Sequence, residues 1–158
     1  MRGKKAKLRT INKDPVYDSF LVAKVINQVM VSGKKTIAQK HVYRAMEQAA
    51  KEAKKEPMAI LEEAINHIKP QMEVRPRRIG GAAYQIPMPV SARRQNSLAI
   101  RWFIEAARSR PNKEYHTFAE KLAAEIISAV KNEGGAIKKK EDTHRMAEAN
   151  KAFSHFRW

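Results

Sequence analysis

The chain contains no cysteine. That excludes a disulfide framework, a thiolate zinc site and a cysteine nucleophile, and it is compatible with a reducing compartment. No apolar run approaches the roughly 20 residues that a membrane-spanning helix needs. No apolar stretch follows the basic N-terminus, which predicts that a secretory signal is absent. Aspartate is scarce: Asp14, Asp18 and Asp142 are all there is. The sequence offers no carboxylate cluster suited to two-metal phosphoryl chemistry and no nucleophile–base pair. The histidines, His41, His67, His116, His144 and His155, form no i, i+4 pair with a third ligand in sight, so no metal centre is expected. Aromatic residues make up only 7% of the chain. Aliphatics and alanine are plentiful, and 158 residues suffice for one modest helical core.

Positive charge is abundant. Lysine and arginine total 32 against 16 acids, a formal net charge of +16. Its placement is uneven: residues 1–13 carry +6, residues 69–101 carry +6 and residues 138–158 carry +3. Residues 36–68 and 102–137 are neutral. A surface charged for solubility alone would spread the excess. Blocks of one sign are the footprint of a polyanionic partner.

No internal repeat or low-complexity linker divides the chain. Residues 1–13 have little hydrophobic pattern and are read as a disordered basic arm, with residues 14–158 as one helical domain. Ser19 can cap a helix to about Val31 whose apolar stripe is Leu21, Val22, Val25, Ile26, Val29 and Met30, with Gly33 as its stop. Thr36 and Gln39 have capping-box spacing and predict a second helix with Ala38, Val42, Ala45, Met46 and Ala49 inward. Pro57 suits the first turn of a third, with Leu61, Ala64, Ile65 and Ile68 inward, and Pro70 ends it.

The period then falls from helical to two. Tyr84, Ile86, Met88 and Val90 alternate with Gln85, Pro87 and Pro89, the pattern of a strand. Met72 to Ile79 is its partner, and Gly80-Gly81-Ala82-Ala83 is the turn. Pro87 and Pro89 share parity, so one edge lacks N–H groups and a third strand is blocked there. A lone hairpin at about 72–90 follows, which must pack on helices or bind something. A long helix, about Ala92 to Arg110, turns Ala99, Trp102, Phe103, Ala106 and Ala107 inward. Arg94, Arg101 and Arg108 recur on another face. Helices over about Phe118 to Val130 and Lys138 to Asn150 complete the expected fold. It is mainly α, with about six helices around one core and a single protruding β-hairpin between the third and fourth. The aromatic, basic tail Phe153 to Trp158 can dock on the protein itself or on a partner.

Arg75 and Arg77 share one strand face, Arg78 follows at the turn, and Arg93 and Arg94 open the next helix. Arginine presents a planar fork that bonds phosphate bidentately and stacks on bases. These five arginines are read as having no nearby acid, so they repel one another unless an anion sits among them. The basic arm can thread along phosphates. Gly33-Lys34-Lys35-Thr36 resembles the end of a phosphate-binding P-loop, but Gln28 stands where that motif needs glycine. Two exposed lysines between helices remain, able to touch phosphate. His144 lies among charges and is read as serving packing or RNA contact.

Several segments resemble one family in order. They are Asp14-Pro15; Met30-Val31-Ser32-Gly33-Lys34-Lys35; Glu73-Val74-Arg75-Pro76-Arg77-Arg78-Ile79-Gly80-Gly81 through Tyr84-Gln85-Ile86-Pro87; Ala99-Ile100-Arg101-Trp102 with Glu105-Ala106-Ala107-Arg108; and the run Lys139 to Phe153. The chain resembles bacterial small-subunit ribosomal protein seven over nearly its whole length. The resemblance implies a non-enzymatic constituent of the small ribosomal subunit in the cytoplasmic ribosome. It would bind the 3′ major domain of 16S rRNA, start assembly of the subunit head, and lie at the subunit interface near exit-site tRNA and the mRNA path. Neighbouring small-subunit ribosomal proteins are implied partners. No cofactor, small-molecule substrate or membrane is implied. Carried over, Lys34, Lys35, Arg75, Arg77, Arg78, Arg93, Arg94 and Arg101 would hold rRNA, and the arm residues Arg2, Lys4, Lys5, Lys7 and Arg9 join them on charge. Gly80, Gly81 and Ala82 at the hairpin tip, with Arg145 of the last helix, would lie toward tRNA. Pro76 departs from the family's usual small polar or basic residue and predicts disturbed pairing there. A helical DNA-binding or nucleoid protein is the rival reading from charge, followed by an RNA-modifying enzyme.

Overall fold

The computed structural model describes Gly3 and residues 10–156. Six α-helices, α1 (Phe20–Val29), α2 (Lys35–Ala53), α3 (Pro57–Ile68), α4 (Ala92–Ser109), α5 (Phe118–Val130) and α6 (Gly135–Ala149), are joined by one antiparallel pair, β1 (Met72–Ile79) and β2 (Ala82–Pro89). A short 3-10 helix, Lys151–Phe156, follows α6. The mainly α fold with a single hairpin between α3 and α4 is as the sequence predicts. The 3-10 turn was not foreseen.

Helix starts follow local chemistry. The Ser19 hydroxyl accepts from the Leu21 N–H at 3.2 Å, and Pro57 occupies the first turn of α3. A full capping box does form, but at α5. There Thr117 Oγ1 accepts from the Glu120 N–H at 3.3 Å, and the Glu120 carboxylate accepts from the Thr117 N–H at 3.2 Å. The box expected at Thr36 and Gln39 is not made. Ser32 (φ 52°) and Gly33 (φ 73°) both take left-handed backbone, and this tight turn lets α2 begin at Lys35 with Lys34 as an uncapped N-cap. Thr36 is therefore already inside the helix. The same turn corrects the end of α1, which stops at Val29, four residues before Gly33. α6 likewise begins at Gly135 rather than Lys138.

Helix α5 lies at the centre, touching α2, α3, α4 and α6. Phe103, Ile60, Leu61, Ile65, Met46, Leu122 and Ile126 are essentially sealed from solvent. Trp102 and Phe103 belong to this core, as their place on the apolar face of α4 requires. Asp14 is buried ahead of α1. Its carboxylate accepts from the Val16 and Tyr17 amides at 3.1 Å and from the Tyr43 hydroxyl at 2.6 Å, so the segment before α1 is fastened to α2.

The hairpin tolerates three prolines because of register. Val90 N donates to Gln71 O at 3.0 Å, which fixes the phase of the ladder. Pro76 stands opposite Gln85, Pro87 opposite Val74 and Pro89 opposite Met72. All three pairs are of the class whose N–H groups point away from the partner strand, so no ladder bond is lost. The disturbance expected at Pro76 does not occur. The turn is also tighter than expected. Ala82 and Ala83 pair with Ile79 and Arg78, leaving a two-residue loop of Gly80 (φ 57°) and Gly81 (φ 90°). Positive φ at both positions is what the twist of a two-residue hairpin demands. The base of the hairpin packs on α6 and its β2 face on the 3-10 helix. There Phe153 and Phe156 stand 5.2 and 6.0 Å from the Tyr84 ring, centroid to centroid.

Candidate nucleic-acid interface

Helix α4 organises the cationic residues. Positions seven apart return to nearly the same side of a helix, so Arg94, Arg101 and Arg108 make one stripe of about 21 Å at 1.5 Å per residue. Each meets a different part of the fold. Arg94 reaches the hairpin base, Arg101 faces a groove shared with α1, and Arg108 lies by the α1–α2 turn.

At the hairpin end, Glu73 is 6% exposed. One carboxylate oxygen accepts from Arg75 Nε at 2.5 Å and the other from Arg94 Nε at 2.6 Å. Both arginine side chains remain about half exposed, at 49% and 48%. The sequence reading of five arginines without a nearby acid is thus corrected. Glu73 shares a strand face with Arg75 and meets the start of α4, so it offsets part of the repulsion and aims both guanidinium groups. Arg77 lies on the same hairpin face as Arg75. Arg78 lies on the opposite face, paired with Ala83 within the ladder rather than at the turn.

In the middle of the stripe, Arg93 and Arg101 line one groove with Lys24, Gln28, Ser97, Ile100 and Ile11. Lys24 was missed by sequence reasoning, because its segment is nearly neutral in sum. The signal available was a single lysine interrupting the apolar stripe of α1. At the far end, Arg108 Nη2 donates to Val29 O at 3.2 Å, and Arg108 shares a cleft with Lys34. Lys34 and Lys35 are exposed at the start of α2. There the positive end of the helix dipole adds to their charge and favours an anion.

The tRNA-proximal candidates are separate from this stripe. Gly80, Gly81 and Ala82 are exposed at the hairpin tip, and Arg145 is exposed on α6 with Asp142 at 3.7 Å. His144 serves packing: its Nε2 accepts from the Gln71 N–H at 3.0 Å. Burial, with Lys140 nearby, holds its pKa below the ordinary value, so the accepting neutral ring is favoured. Arg2, Lys4, Lys5, Lys7 and Arg9 lie outside the described residues.

Glu52, Glu114 and Glu120, together with Lys51 and Arg110, line a broad groove between α2 and α5. Neither groove along the α4 stripe has an acid among its lining residues. Among the described residues, no group of three or more His, Asp or Glu side chains could hold a metal ion. No helix among them is long and apolar enough to cross a membrane. The arrangement can bind an extended polyanion along one side.

Comparisons with known proteins place the chain in a family. The family model described as ribosomal protein S7p/S5e matches residues 1–151. The chain is 54% identical to the small ribosomal subunit protein uS7 of Thermosipho africanus, over the full length of both. It is 55% identical to the protein of the same name from Thermotoga neapolitana, again over both full lengths. With that of Caldicellulosiruptor saccharolyticus it shares 58% identity over 152 residues, 96% of each chain.

Proposed function

The chain belongs to the ribosomal protein S7p/S5e family, and from that premise we propose that it is a structural, non-catalytic constituent of the small ribosomal subunit that binds 16S rRNA directly through the α4 stripe. The observation that carries this reading is the convergence of three elements on one helix. Arg94 meets the hairpin, Arg101 meets α1, and Arg108 meets the turn into α2. A folded RNA junction presents several backbones at fixed angles, and cations on several elements match that shape better than a linear duplex. RNA-binding proteins commonly read shape, loops and backbone rather than paired base edges.

Affinity comes from release of counterions, and fit comes from the rigid placement of hairpin and helices. In this reading Lys34, Lys35, Arg75, Arg77, Arg78, Arg93, Arg94 and Arg101 hold phosphates of the 3′ major domain, and Arg2, Lys4, Lys5, Lys7 and Arg9 extend the contact. Binding there nucleates the subunit head in the cytoplasmic ribosome. The exposed tip at Gly80, Gly81 and Ala82, with Arg145, faces exit-site tRNA and the mRNA path. The C-terminal helix α6 faces neighbouring subunit proteins and the exit site.

Filter binding of the full chain to a 3′ major-domain RNA fragment and to duplex DNA tests the reading. Preference for the RNA is expected, with log affinity falling against log salt at a slope of roughly −4 to −5 if about six phosphates are neutralised. Equal binding to both, or a flat salt dependence, contradicts it and favours the DNA-binding alternative or none. Replacing Arg77 and Arg78 together by alanine should weaken RNA binding without loss of helicity. Unchanged affinity removes the hairpin from the site.

A further inference from the structure

The cleft between the end of α1, the first turn of α2 and the start of α5 combines features that phosphate binding alone does not need. Its walls include Val31, Ile37, His41 and Phe118, and Lys34 and Arg108 also line it. Val31 is 62% exposed and Ile37 50% exposed, an unusual display of large apolar side chains beside two cations. The Phe118 ring stands edge-on to His41 at 6.0 Å between centroids, which adds an aromatic face to this wall. The cleft measures about 240 Å³, below the roughly 300–1,000 Å³ typical of pockets for larger small molecules. It has room for one flat ring system.

Resting on the rRNA-binding reading, we infer that this cleft takes a single unstacked nucleobase of the bound RNA, with Lys34 and Arg108 holding the phosphates on either side of it. Charge decides between a base and an apolar side chain from another protein. No acid lines the cleft, so an apolar side chain alone would leave Lys34 and Arg108 without a counter-charge, whereas a nucleotide brings its own negative charge. Continuity favours the same occupant. Arg108 ends the stripe that Arg94 and Arg101 begin, so a strand following the stripe arrives at the cleft. Apolar and aromatic surfaces that receive splayed-out bases are a usual means of reading unpaired RNA.

The test separates apolar from ionic contributions in the full chain, with the 3′ major-domain RNA fragment as probe. Ile37→Ser removes an exposed apolar wall and no charge. It should lower affinity about fivefold or more, the low end of what one stacked base contributes, and leave the salt slope unchanged. Lys34→Ala should weaken binding and also make the slope shallower by about 0.7–0.9. Val31→Ser, with helicity checked by circular dichroism, is the second apolar variant should Ile37→Ser misfold. Parental affinity in the apolar variants overturns the inference, and so does a slope that becomes shallower with the loss of Ile37. Unchanged RNA affinity with weakened capture of a purified subunit protein overturns it in favour of a protein ligand. Failure of the unmodified chain to bind the RNA refutes the rRNA-binding reading itself, a result distinct from any of these.

Discussion

Replacing Glu125 by alanine should cost about 3 kcal/mol of stability, and the reason lies in how one arginine of the α4 end is used. Glu125 is 1% exposed. Its carboxylate accepts from Arg110 Nε at 2.8 Å and, on the other oxygen, from the Ala136 N–H at 3.1 Å. Arg110 Nη2 also bonds Ser128 Oγ at 2.8 Å, and Nη1 reaches the Tyr115 hydroxyl at 3.2 Å. Lys121 Nζ bonds the Arg110 carbonyl at 2.6 Å, so the connection from α4 to α5 is tied down from both sides. Removing one partner of a buried ion pair typically costs about 3–5 kcal/mol. The lower end applies because the Arg110 side chain is 19% exposed and keeps its other acceptors. For a chain of this length, that loss corresponds to a fall in Tm of roughly 6–12 °C. Urea unfolding followed by circular dichroism measures it. The Arg110→Ala/Glu125→Ala double variant should show a coupling of at least about 1 kcal/mol, because removing both leaves neither charge stranded. A loss below about 1 kcal/mol for Glu125→Ala, or strict additivity, refutes the reasoning. Arg110→Ala should also leave the salt slope of RNA binding unchanged, since this arginine serves the fold.

Two further outcomes follow from contacts elsewhere. Burial, reinforced by the hydrogen bond to Asp14, pushes the Tyr43 hydroxyl up to about 12. The neutral phenol therefore stabilises the fold fully below pH 10, and that contribution is lost as pH rises from 10 toward 12. The stability difference between the parent and Tyr43→Phe should shrink over that window; a difference independent of pH contradicts the assignment. Deleting residues 151–158 removes both rings packed on Tyr84. At about 0.5–1.5 kcal/mol per aromatic pair, hydrogen exchange of the β1–β2 amides should quicken about tenfold, and unaltered exchange would show that the tail does not brace the hairpin.

Most helices were legible from apolar spacing and, at α3, from Pro57 in the first turn: α3, α4 and α5 begin at Pro57, Ala92 and Phe118, where the sequence places them. The α1–α2 junction was misread because Ser32 adopts left-handed backbone beside Gly33, and a non-glycine residue gives little local signal of doing so. The hairpin was legible from its two-residue period and its glycine pair. Its tolerance of Pro76 depends on register, which only the paired strand reveals. The candidate site was legible as a set of residue types but not as a surface. The seven-residue recurrence of Arg94, Arg101 and Arg108 was visible. What each faces, namely Glu73, Lys24 and Lys34, is set by contacts across 21 to 77 positions of sequence. Glu73 as a partner of Arg94 could not be read from local pattern, and Lys24 left only the weak signal of one lysine within the apolar stripe of α1.

The salt dependence of RNA binding by the triple variant Arg94→Ala/Arg101→Ala/Arg108→Ala, beside the parent, tests the central role of α4 most directly. The stripe predicts retained helicity, weaker binding, and a log–log slope shallower by about 2–3, the loss of three phosphate contacts. An unchanged slope in a folded triple variant would contradict it.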